Sequence, residues 1–162
     1  MEKANITTQD NIIDIDFGAI KKSRFRLNGD NSKIFELNVS DMNIVQRLNE
    51  SYPKLNKLQE KVQKLQLKEN TSADATEEED AKAVAEMGEK LKELDDEMKS
   101  IIDYIFDSNV SEVCAGSGSM YDPIDGMFRY EHIIDKLTSL YTDNLNSEFK
   151  KMKTRINKYA KK

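Results

Sequence analysis

Tryptophan is absent from this 162-residue sequence, and cysteine and histidine occur once each, as Cys114 and His132. One cysteine cannot build a disulfide framework within the chain or a cysteine-cluster zinc site, and His132 has no second histidine with which to share a metal. No metal or cofactor is therefore expected. Proline occurs twice, at Pro53 and Pro123, and glycine six times, so few positions interrupt regular structure. Nowhere do 18 apolar residues run together, which excludes a hydrophobic membrane-spanning helix. The opening MEKANITTQDN lacks the basic and apolar regions of a secretory signal. Cytosolic residence is the resulting expectation.

What the sequence does contain is charge. Charged residues make up 34% and hydrophobic residues 38%, with a mean hydropathy of -0.72 and a formal net charge of -5. This describes a mainly α protein with much exposed helix surface, the size of one ordinary domain. The expected architecture is a long antiparallel helical hairpin plus a C-terminal helix, with a small N-terminal β-hairpin. An N-terminal arm and β-hairpin (1–39) would precede a helical part (40–162), with helices over about 40–68, 78–106, 109–115 and 123–158, all in one folding unit.

The patterning behind these spans changes along the chain. IIDIDF alternates Ile13, Ile15 and Phe17 with Asp14 and Asp16, as an extended segment with one apolar face does. RFRL and KIFELNV flank NGDNS, and Asn28-Gly29 is a hairpin turn signal, so a hairpin is predicted over 23–39, with room for a third strand. Ser40 is the predicted N-cap of a helix carrying Val45, Leu48, Tyr52, Leu55, Leu58, Val62 and Leu65, with Pro53 placed to kink or restart it. LKENTSADATEEED reads as an acidic solvated connection or helix start. Val84, Met87, Leu91, Leu94, Met98, Ile101 and Ile105 then recur at alternating steps of three and four, a heptad seam that fits pairing within the chain or between chains. The last helix carries apolar residues from Phe128 to Tyr159 and ends in KKMKTRINKYAKK, which has seven Lys or Arg and no acid.

The rare residues gather in CAGSGSMYDPIDGMFRYEHIIDKL, Cys114 to Leu137. A Cys114–His132 nucleophile pair needs a convergence that the sequence does not supply. AGSGS lacks the lysine and spacing of a phosphate loop, and DFG at Asp16 to Gly18 lacks the rest of a kinase. The DDE run at Asp95 to Glu97 reads as a solvated helix face. No catalytic residue is assigned and no enzyme is expected. AGSGS reads as a flexible connection, and DPID as a helix start with Asp122 at the N-cap, Pro123 at N1 and Asp125 at N3. The basic C-terminal helix raises nucleic-acid binding, against which stands the acidity of the whole chain.

The order of elements carries a resemblance: a β segment ending in IFELNVSD, a polar helical hairpin, IIDYIFDSNVSEVCAG, then a loop and FRYEHIIDKLTSLY. Over roughly Phe25 to Leu145 this resembles the small tail assembly chaperones of tailed bacteriophages and prophages of Gram-positive hosts. The resemblance implies a non-enzymatic helper in the bacterial host cytoplasm, absent from the mature virion. It would bind the tape measure protein, keep it soluble and assist the tail tube protein in assembly. It also implies a longer frameshifted product, for which Lys161-Lys162 is the place to look. The basic extension after Leu145 departs from the shorter family members. The contrasting expectation is a small phage-encoded inhibitor that binds a host defence nuclease. Candidate partner contacts are Tyr121, Met127, Phe128, Met152, Ile156 and Tyr159, and self-association is left open by the heptad.

Overall fold

In the computed structural model, which describes residues 11–18, 20–67 and 76–160 without the side chains of Gln66, Leu67, Tyr159 and Ala160, the expected β-hairpin forms from β1 (Ser23–Arg26) and β2 (Ile34–Leu37). The strands are antiparallel, with Phe25 opposite Phe35 and Arg24 opposite Glu36. The two phenyl rings stack at a centroid distance of 5.8 Å. Asn28 and Gly29 take the left-handed conformation, and Asp30 N–H donates to the Leu27 carbonyl at 2.9 Å, closing the turn that the Asn-Gly pair signals. Among the described residues no third strand joins the hairpin: Ile12 makes a single bridge, residues 13–18 have no regular structure, and Ile13, Ile15 and Phe17 are exposed. Alternation gave this segment an amphipathic pattern, but strand structure also requires a neighbour to pair with.

Most of the rest of the fold is helical, with α1 (Ile44–Leu67) and α2 (Glu77–Phe106) forming the antiparallel hairpin. The start of α1 falls four residues beyond the predicted N-cap Ser40, because the intervening turn is taken by Asp41. Its carboxylate accepts from Asn43 N–H at 2.9 Å and pairs with Arg47 at 2.9 Å. The Arg47 Nε also donates to the Ile105 carbonyl at 2.8 Å, which ties the first turn of α1 to the last turn of α2. Pro53 lies inside α1, and the helix runs through it without a break. At the start of α2 Thr76 forms a capping box with Glu79, and Glu77, Glu78, Glu79 and Asp80 face the positive end of the helix dipole. The acidic run is thus a helix start; residues 68–75 of the predicted connection lie outside the described residues.

The phase of α1 differs from the expected one by one residue at two positions. Val45 and Tyr52 are exposed, and the inward stripe is Ile44, Leu48, Ser51, Leu55, Leu58, Val62 and Leu65, of which Leu48 and Leu65 are half-buried and the others buried. These residues keep strict alternating steps of four and three, as an antiparallel helix pair requires. Ser51 was passed over because a hydroxyl does not read as core. It is buried, and its Oγ has no hydrogen-bond partner among the described residues. Removing an unsatisfied buried hydroxyl while improving helix propensity favours the folded state. A Ser51→Ala variant is therefore expected to be more stable by ~1 kcal/mol, read as a rise in Tm of roughly 2–4 °C.

On α2 the heptad seam is buried only in its C-terminal half: Leu94, Met98 and Ile105 are in the core, with Ile102 and Phe106 beside them, whereas Val84 and Leu91 are exposed. A short α3 (Val110–Ala115) follows a left-handed Asp107. Its first turn is held by Asp103, whose two carboxylate oxygens accept from Ser111 N–H and Ser111 Oγ, each at 2.7 Å. The last helix, α4, spans Arg129–Ala160 and covers the core with Tyr130, Ile133, Leu137 and Tyr141. Asn144 Nδ2 donates to the Val39 carbonyl at 3.1 Å and to Ser40 Oγ at 3.0 Å, which ties α4 to the segment that follows β2.

The predicted helix start at residue 123 is replaced by a second hairpin. Pro123–Ile124 (β3) pairs antiparallel with Met127–Phe128 (β4), and Asp125 and Gly126 have φ of 50° and 81°. Two successive left-handed residues make the two-residue turn for which Asp-Gly is favoured, and only glycine enters that region without a steric cost. Reading Pro123 as a helix N1 residue overlooked this competing signal. The helix starts instead at Arg129, where Glu131 reaches back to accept from Phe128 N–H at 2.8 Å.

Candidate functional site

Three features could carry function: the segment from Gly116 to Phe128, a groove between the β1–β2 hairpin and α4, and the exposed end of α4. The first is built inward. Asp95 on α2 accepts from Met120 N–H at 2.6 Å and from Ser119 Oγ at 3.1 Å, and pairs with Lys99 at 2.8 Å. Met120 is fully buried, and Tyr121 is buried with its hydroxyl donating to the Leu94 carbonyl at 3.3 Å. Tyr121, Phe128 and Tyr130 form a closed aromatic triangle with centroids 5.7–5.9 Å apart. Burial pushes the Tyr130 hydroxyl up to about 12 and that of Tyr121 further in the same direction.

AGSGS is accordingly no flexible connection. A side chain on Gly118 would lie 2.9 Å from Asp122 Oδ2, 3.0 Å from Arg129 Nη2 and 3.1 Å from the Ala115 carbonyl, so the glycine permits a close approach. Arg129 closes the segment by donating to the Cys114 carbonyl and to Asp122, both at 3.0 Å. Nor is Asp95 part of a wholly solvated acidic face. It anchors the loop, because its carboxylate meets donors on half-buried Ser119 and buried Met120, which lie 24 and 25 residues further along the chain.

Cys114 and His132 line one open groove of about 570 Å³. No hydrogen bond between them is found; the His132 Nε2 lies 2.7 Å from the Ile124 carbonyl. Burial pushes the Cys114 thiol up to about 11, which suppresses the thiolate that a nucleophile requires. Native protein at pH 8 is therefore expected to react with a disulfide reagent roughly a hundredfold more slowly than an unfolded sample. A stopped-flow measurement in buffer and in denaturant checks this, and equal rates would contradict it. Among the described residues no group of three or more His, Cys, Asp or Glu side chains is arranged to hold a metal ion.

The candidate partner contacts separate into distinct places. Tyr121 is a core residue, and so is a poor first contact for a partner. Phe128 is half-buried in the aromatic triangle, and Met127 is half-buried in β4. Met152 and Ile156 stand on the exposed end of α4, 52% and 64% accessible, in line with exposed Phe149. The Tyr159 side chain lies outside the described residues. Steps of four, three and four from Leu145 through Phe149 and Met152 to Ile156 place these side chains on one helix face. Lys150, Lys151, Lys153 and Lys158 lie on the same stretch. The sequence shows the pattern here but not that these side chains stay exposed among the described residues.

No helix among the described residues is long and apolar enough to cross a membrane. Comparison with protein-family models, with curated proteins and with solved structures gives no match.

Proposed function

We propose that the chain is a non-enzymatic phage tail assembly chaperone that binds the tape measure protein through the exposed apolar-basic face of α4. The observation that carries this reading is the state of that face: Phe149, Met152 and Ile156 lie in register and exposed on a helix whose first half is built into the core. A helix whose apolar stripe lacks a partner offers the geometry by which amphipathic helices associate. A long helical client has matching stripes that require cover until the tube closes around it. Methionine suits such a surface, since an unbranched thioether adapts to several neighbours. The resemblance over Phe25 to Leu145 supplies the identity of the client and of the tail tube protein as assembly partner. On this reading the chaperone acts in the host cytoplasm and is left out of the virion.

Co-expression with the neighbouring tape measure gene tests the proposal. The tape measure protein is expected to stay soluble and to co-elute with the chain on size exclusion. The double variant Met152→Asp/Ile156→Asp should lose that complex while its own Tm stays the same, because exposed substitutions change stability by no more than ~0.5 kcal/mol. Absence of any complex with the unaltered chain would overturn the proposal. So would recovery of a host nuclease in its place.

A further inference from the structure

The N-terminal arm presents an unusual surface for a described part of a folded chain. Ile13, Ile15 and Phe17 are 61%, 62% and 92% accessible, and Ile12 and Ile20 are also exposed. Scattered apolar residues are ordinary on a surface, but a contiguous run of this kind marks a segment that binds something. In an extended strand the apolar side chains of Ile13, Ile15 and Phe17 share one face, with the carboxylates of Asp14 and Asp16 on the other.

The same molecule contains a complementary receptor. The groove between the β1–β2 hairpin and α4 is lined by Phe25, Phe35, Ile133, Leu137 and Leu140, with Arg26, Lys33, Arg129 and Lys136 as cations and Asp125 as its one carboxylate. Its volume of about 570 Å³ lies in the range of about 300–1,000 Å³ typical of cavities that enclose a ligand. Apolar walls with a cationic rim suit an extended segment that is apolar on one face and acidic on the other. β1 runs from Ser23 towards the turn at Asn28–Gly29, and the groove includes Leu27 and Asn28 at that far end. The arm joins β1 at Ser23, the end away from that turn, so to reach the far end of its own groove it would have to double back along the strand. In the single chain the arm's apolar residues stay exposed.

From these observations we infer that two copies of the chain exchange arms, the segment around Ile13 to Phe17 of each lying in the groove between the β-hairpin and α4 of the other. Such an exchange is isologous: both arms and both grooves are used, and the assembly closes at two chains. It involves neither Met152 nor Ile156, so it is independent of client binding.

The test uses the full chain with the photoreactive residue benzoyl-phenylalanine in place of Phe17. Irradiation is expected to give a covalent species of twice 18.6 kDa, with the adduct mapped by mass spectrometry to the strand residues or the α4 residues of the groove. Light scattering of the unaltered chain should give the same doubled mass. The variant Ile15→Lys/Phe17→Lys should run as one chain and keep its helical circular dichroism spectrum, since neither side chain is in the core. Lys33→Glu/Lys136→Glu should weaken the dimer by at least tenfold. An adduct within one chain would assign the groove to its own arm and overturn the exchange. A monomeric unaltered chain, or a dimer that survives Ile15→Lys/Phe17→Lys, would overturn it as well.

Discussion

Phe106→Ala is expected to destabilise the protein by ~3–5 kcal/mol, the range for emptying an aromatic site in a packed core. Phe106 is the last residue of α2 and is 1% accessible. Its ring meets that of Tyr141 on α4 at a centroid distance of 6.1 Å, and the buried residues Ile105 and Val110 stand on either side of it in sequence. The side chain is thus placed where the helical hairpin, α3 and the first half of α4 meet. Three elements with their own hydrogen bonds cannot all shift to fill the space, so most of the cavity would persist. For a chain of this length the loss corresponds to a fall in Tm of roughly 6–20 °C. Urea denaturation should show a lower midpoint with an unchanged slope. A loss below about 1 kcal/mol would mean that the site collapses or that Phe106 is not packed as described.

The second large effect is electrostatic in origin. Asp95→Ala is expected to cost ~3 kcal/mol, because hydrogen bonds to a charged acceptor are worth about 1.5–3 kcal/mol and their loss leaves donors unpaired away from water. The Met120 N–H and the Ser119 hydroxyl would both lose their acceptor, Asp95 Oδ1. Asp95→Asn retains an acceptor oxygen and should cost no more than ~1 kcal/mol. Lys99→Ala should cost ~0.5 kcal/mol, as its ion pair with Asp95 is an i,i+4 pair on a partly solvated helix face. Thermal melts of the three variants establish the order. Equal effects of the Asp95→Ala and Lys99→Ala changes would transfer the main role from the loop anchor to the ion pair. Amide exchange at Met120 gives a local readout, with protection lost in Asp95→Ala and kept in Lys99→Ala.

These two residues also mark where sequence patterning stops being informative. Phe106 follows Ile105, the last residue of a seven-member heptad stripe, and a stripe shows which side of a helix is apolar without showing how much of it another element will cover. Burial therefore begins only at Leu94, while Val84 and Leu91 remain exposed. The one-residue shift on α1 has a related cause. Ile44 and Val45 are both apolar, and the choice between them was made by where α2 lies, which also drew Ser51 into the seam. Asp95 looked like one more acid among Asp95, Asp96 and Glu97. Its partners, Ser119 and Met120, are separated from it by the rest of α2 and the whole of α3.

Local chemistry was enough wherever neighbours in sequence are also neighbours in space. The Asn-Gly turn between β1 and β2, the acidic start of α2 and the helical period of all three long helices depend on residues no more than a few positions apart, and each appears in the fold. Asp125-Gly126 belongs with them, although the adjacent Pro123 gave a competing signal. The candidate surfaces belong elsewhere. That Tyr121 is interior, that Phe149, Met152 and Ile156 are exposed, and that a groove with a cationic rim stands open were decided by which elements pack together. Burial depends on contacts between distant parts of the chain, and the period of a sequence contains no record of them.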